Sequence, residues 1–112
     1  MYNVEPAIED LIFTKGDSIN IEFSVTDSTG AAYDMTGMQL DLHVLDSHGV
    51  IIRTLSSAGT AEITIAVNVV TIYSVVSFTK AGRFYYDLQL TDAGELSTIM
   101  KGNLIVQREY TI

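Results

Sequence analysis

Two tetrapeptides bring an acid, a hydroxyl and a glycine close together: Asp27-Ser28-Thr29-Gly30 and Asp34-Met35-Thr36-Gly37. Two carboxylates that share a proton can activate water, and an aspartic-protease dyad is built from two Asp-Thr/Ser-Gly elements. Here each acid stands one residue too far from its glycine. The same residues make good turns, because an Asp side chain accepts from nearby amides and Gly supplies positive φ. The sequence predicts turns at both places. His43 and His48 are the only histidines, and there is no cysteine. A zinc site needs three or four convergent ligands, which two histidines on a strand and its turn do not supply. A Ser-His-Asp triad assembles from residues distant in sequence, but no nucleophile elbow marks one here. The histidines are expected to be solvated.

Asp87, Asp92 and Glu95 are the acids that a calcium-binding surface loop would draw on, although no EF-hand pattern surrounds them. The ten aromatic residues include no tryptophan. Sugar-binding β domains present exposed aromatic platforms, and Tyr73, Tyr85 and Tyr110 are the candidates. Tyrosine is common on sheets for packing reasons alone, so sheet-face or core packing is the expectation. Tyr86, followed by Asp87, has a second reading as a corner tyrosine whose hydroxyl anchors a loop. No catalytic, cofactor-binding or metal-ligating residue is expected, and the chain is not expected to be an enzyme.

The elements that must position these residues alternate with period two, and helical periodicity is hard to find. Ile19, Ile21, Phe23 and Val25 alternate with polar residues until the turn at Asp27. Leu40, Leu42 and Val44 do the same up to Asp46-Ser47-His48-Gly49, and residues 50–55 return as the hairpin partner. Ile63 and Ile65 lead to a turn at or beside Asn68, because Asn tolerates positive φ. The run 69–76 follows. Phe84, Tyr86, Leu88 and Leu90 share one face of a strand that ends at Thr91-Asp92-Ala93-Gly94. The last strand is interrupted at Lys101-Gly102-Asn103, which predicts a bulge or bend. Residues 8–14 form the first strand, with Pro6 just ahead of it. The sparsely charged run from Val67 to Phe78 reads two ways, as lying near an interface or a buried edge, or as a central core strand.

At 112 residues the chain is one domain, 1–112, with residues 1–7 an arm-like N-terminal segment. A chain of this length buries roughly 65% of its unfolded surface, enough for a core without disulfides. Fourteen acidic against six basic side chains give a formal charge of −8, and the cations are scattered along the sequence. That balance repels phosphate backbones and argues against nucleic-acid binding. No stretch is long and apolar enough for a membrane span, and no leader pattern precedes the first strand. With Met1 in place, the expectation is a complete product made in the cytoplasm. Seven to eight short strands with Gly/Asp/Asn/Ser punctuation predict an all-β antiparallel sandwich or barrel.

Gly82-Arg83-Phe84-Tyr85-Tyr86-Asp87-Leu88-Gln89-Leu90, followed by Lys101-Gly102-Asn103-Leu104-Ile105-Val106, resembles the C-terminal half of small bacteriophage and prophage structural domains. Phe13-Thr14-Lys15-Gly16-Asp17 is similar to their opening element. Tyr33-Asp34-Met35-Thr36-Gly37-Met38 is similar to their Asp-Leu-Thr-Gly turn, with Met35 in place of the usual Leu. The resemblance covers roughly residues 10–107 and is thinnest over 56–77. It implies an immunoglobulin-like β-sandwich in a tail, baseplate or fibre, like the N-terminal domains of siphophage baseplate upper proteins. Gly82, Gly102, Asp34 and Gly37 would then be structural turn positions. It further implies a non-catalytic virion module made in the bacterial cytoplasm. Its partners would be other virion proteins and copies of itself, with no cofactor, nucleic acid or membrane insertion. The alternative is an extracellular carbohydrate-binding or adhesin-like module.

Overall fold

A computed structural model describes residues 7–59 and 62–108. Its nine strand segments are β1 (Ala7–Ile8), β2 (Leu11–Thr14), β3 (Ile19–Ser24), β4 (Gln39–Leu45), β5 (Ile51–Ser56), β6 (Ile63–Ala66), β7 (Val69–Ser74), β8 (Gly82–Asp92) and β9 (Glu95–Gln107). No helix occurs among the described residues. One sheet has the order β1-β9-β8-β4-β5, with β2 also on β9; the other is β3-β7-β6. The period-two pattern explains the layering: alternate side chains face inward, so one face of each strand is apolar. Leu40, Leu42 and Val44 of β4, Tyr86, Leu88 and Leu90 of β8, and Leu104 and Val106 of β9 meet Ile19, Ile63, Val70 and Ile72 of the smaller sheet in one buried cluster. Each such aliphatic side chain contributes about 2 kcal/mol by leaving water.

The first strand departs from the expected purely antiparallel arrangement. Leu11 to Thr14 run parallel to Leu104 to Gln107, as Ala7 and Ile8 do to Met100 and Lys101. Residues 1–6 of the expected arm lie outside the described residues, whereas Ala7 is already paired. Between the two pieces the Glu9 backbone passes close over Gly102. The Glu9 amide donates to the Lys101 carbonyl (3.1 Å), and the Glu9 carbonyl accepts from the Tyr86 hydroxyl at 2.6 Å. Gly102, opposite Tyr86 in the β8–β9 ladder, makes this approach possible, since a Cβ there would collide with the Glu9 carbonyl. Gly102 is therefore not the bulge that its place in a strand suggested. The register shift lies further back, between Leu88 and Gln89. The Tyr86 hydroxyl anchors a loop, as the second reading of this residue expected, and that loop is the short link between β1 and β2, far from Tyr86 in sequence. Burial, with the Glu9 and Asp10 charges adding to it, pushes the Tyr86 phenol up to about 12.

Three aspartates shape turns as expected. Asp27 Oδ1 accepts from the Thr29 and Ala31 amides (2.8 and 3.1 Å), Asp34 Oδ1 from the Thr36 amide (2.9 Å), and Asp46 Oδ1 from His48 and Val50 (2.8 and 3.0 Å). These bonds hold all three carboxyls below the usual carboxylate range. The Thr hydroxyls lead for Asp27 and Asp34, and the Val50 amide leads for Asp46. The β6–β7 turn differs from expectation in one respect. Positive φ (59°) falls on Val67, not on Asn68. A β-branched residue is strained there. The turn is held by bonds to its neighbours: the Val67 carbonyl accepts from Met35 (2.8 Å) and the Asn68 carbonyl from Val25 (2.9 Å).

Candidate docking surface

His43 and Asp87 face each other across β4 and β8, with Nδ1 2.9 Å from Oδ1. His43 is thus paired and part-buried on the outer face of the larger sheet, not simply solvated, while His48 is exposed in its turn. Thr54 is the other register partner of His43. Asp92 and Glu95 flank the β8–β9 turn, and Asp87 lies well back along β8. No group of three or more His, Asp or Glu able to hold a metal forms among the described residues. Tyr73 and Tyr85 are both half-exposed, but Tyr73 is on the outer side of β7 and Tyr85 on the outer side of β8. They belong to different sheets and make no common platform. Tyr110 lies outside the described residues. No helix among the described residues is long and apolar enough to cross a membrane.

The central-strand reading of residues 67–78 holds for one part of the segment. Val69–Ser74 is the central strand of the smaller sheet, with Val70 and Ile72 buried. Val75 and Val76, just beyond it, are 73% and 63% exposed. Their exposure is built in. Arg53 Nη2 donates to the Val76 carbonyl at 2.7 Å and to the buried Ser74 Oγ at 3.2 Å, and that same oxygen accepts from the Val76 amide. The guanidinium also sits 5.1 Å from the centre of the Phe78 ring, which packs at 5.5 Å on Phe13. With its polar backbone groups satisfied inside, the segment is left presenting aliphatic carbon to solvent.

Beside it runs β5, the edge of the larger sheet. Val44 pairs with Arg53 but Leu45 with Ile51, so Ile52 is an extra, bulged residue. Bulges re-aim side chains at sheet edges, and here Val50, Ile51 and Ile52 are all about half exposed. Ile52, Val76, Phe78 and Phe84 line a hollow of ≈ 280 Å³, with Arg53 and Lys80 on its wall. An apolar hollow on an edge strand, with further exposed aliphatic residues close by in sequence, is a candidate surface for association.

Charge is distributed along the same axis. The body measures 47 × 27 × 27 Å, with the long strands lying lengthwise. Arg83 is the second residue of β8, opposite Ile105 near the end of β9, Arg108 follows β9, and Lys15 donates its amide to the Gln107 carbonyl. Together with Arg53 and Lys80, five of the six lysines and arginines gather at this end, joined by Asp17 and Asp46. The opposite end holds the Asp27 and Asp34 turns, the Val67 tip and the Asp92–Glu95 turn, and neither lysine nor arginine occurs there among the described residues. Cations that are scattered in sequence are thus collected by the fold. One signal for this surface was legible: Val50-Ile51-Ile52 breaks the alternation with three apolar residues in a row. The segregation of charge was not.

No family model matches the chain, and no curated protein matches it.

Proposed function

We propose that this chain is a non-catalytic assembly module that works through protein–protein contacts, in the virion of a phage or prophage. The observation that carries the reading is the set of exposed aliphatic residues Ile51, Ile52, Val75 and Val76, of which Ile52 and Val76 line one hollow with Arg53 and Lys80, and Arg53 holds the Val76 backbone. Surfaces ordered before binding lose little conformational entropy on docking. The proposed fold is an immunoglobulin-like sandwich. The smaller sheet, β3-β7-β6, has the order of strands B, E and D, and β5-β4-β8-β9 that of C′, C, F and G. The virion setting is supported by the motif resemblance at residues 10–107. The partners are other virion proteins and copies of this chain. The carbohydrate-binding alternative loses support from the placement of Tyr73 and Tyr85 on different sheets. Light scattering of the purified chain, beside a glycan array, tests the choice. Association that rises with concentration, with no glycan retained, is expected. A strict monomer at high concentration that is retained on glycans would overturn the reading.

A further inference from the structure

We infer that copies of this chain stack end to end, the acidic end of one seated on the basic end of the next. The inference rests on the assembly reading above and adds its partner and its polarity.

Charge complementarity carries it. Lys80 and Arg83 stand exposed at the basic end, beside the apolar hollow, and Asp92 and Glu95 stand exposed at the other. A two-fold contact made end on end would place basic end on basic end, or acidic on acidic, and like charges facing across an interface are costly. A side-by-side antiparallel pair would match unlike ends but stop at a dimer, whereas the head-to-tail contact matches them end on end and continues past it.

The apolar surfaces agree with this order. The basic end offers a hollow bordered by Ile52 and Val76. The acidic end offers projecting aliphatic side chains, Val67 at the β6–β7 tip (54% exposed) and Leu96 beside the β8–β9 turn (65% exposed). Val67 occupies a backbone position that suits Asn or Gly better, and strain of this kind collects at functional sites. A contact between unlike ends is heterologous, so it continues as a file of molecules unless its rotation closes a ring.

The overall charge of −8 does not prevent this at moderate salt. The Debye length is about 10 Å at 0.1 M, so charges meeting across the contact attract while the rest of two 47 Å bodies is screened. At about 0.01 M the screening length grows to roughly 30 Å and net repulsion competes, and at about 1 M it shrinks to 3 Å and the end charges fade. Association is therefore strongest near about 0.1 M salt.

Sedimentation velocity of the full chain over a concentration series tests the proposal. The charge reversals are Lys80→Glu with Arg83→Glu, and Asp92→Lys with Glu95→Lys. The wild type is expected to grow past a dimer near about 0.1 M salt, with affinity at least tenfold weaker at about 1 M. Each double variant alone is expected to sediment as a 12.3 kDa monomer. Their equimolar mixture should recover association, since the intact acidic end of one meets the intact basic end of the other. Val67→Asn, which relieves the backbone, should fold at least as stably yet associate less, an outcome that a purely structural Val67 would not give. Association that persists in both double variants, or a mixture no better than its parts, overturns the polarity and leaves the assembly reading standing. A wild type monomeric throughout overturns the stacking, and with glycan retention it overturns the assembly reading as well.

Discussion

The Glu9–Tyr86–Gly102 contact and the Ile52–Val76 end use similar residues to opposite purposes. At the first, a polar backbone group is drawn inward: the Glu9 carbonyl is met by a buried hydroxyl, and a missing side chain makes the space. At the second, apolar side chains are pushed outward because Arg53 and Ser74 have taken up the backbone polarity behind them. The first region joins the N-terminal strand to the body and should govern stability. The second adds little to the core and should govern association. Substitutions at the two places ought to separate cleanly.

Gly102→Val makes the largest break. Its side chain would displace the Glu9 carbonyl, part β1 from β9 and strip Tyr86 of its partner. A loss of at least about 3 kcal/mol is expected in urea unfolding at neutral pH. Tyr86→Phe keeps the ring and removes only the hydrogen bond, for a loss of about 1 kcal/mol. It also has a pH signature. The phenol is raised from 10.0 to about 12 in the folded chain, so the protonated form favours folding. That stability is full below pH 10 and is lost as pH rises towards 12. The corresponding alkaline decline in stability should be weaker in Tyr86→Phe. Changing Val75 and Val76 together to Ser should move stability by no more than about 0.5 kcal/mol, because both are exposed. Light scattering should nonetheless show several-fold weaker association. If this pair unfolded the chain while Gly102→Val left stability untouched, the division of roles would be reversed.

Much of the fold was legible because it depends on local chemistry. Alternation gave β3, β4 and β8 their inner faces, and the Asp27, Asp34 and Asp46 turns follow from side chains bonding amides two to four residues on. What escaped depended on contacts across the chain. Gly102 looks like a bulge unless one knows that Glu9 crosses it, and nothing local says that the first strand runs parallel to the last. Asn68 was the natural residue for positive φ, yet tertiary bonds to Met35 and Val25 fix the turn so that Val67 takes it. The basic end is the extreme case. Lys15, Arg53, Lys80, Arg83 and Arg108 share no local pattern, and they gather because alternate connections between strands return to the same end. The His43–Asp87 pair is of the same kind, two residues far apart in sequence placed opposite by strand register.

Amide hydrogen exchange at dilute and at concentrated protein tests the central claim most directly. The account predicts added protection, on concentration, at Ile51 to Arg53 and at Val75 and Val76, together with the Val67–Asn68 and Asp92–Glu95 turns, and no change around Tyr86. Protection confined to other surfaces, such as Leu11 and Ile21 along the seam between the sheets, or no added protection anywhere, would contradict it.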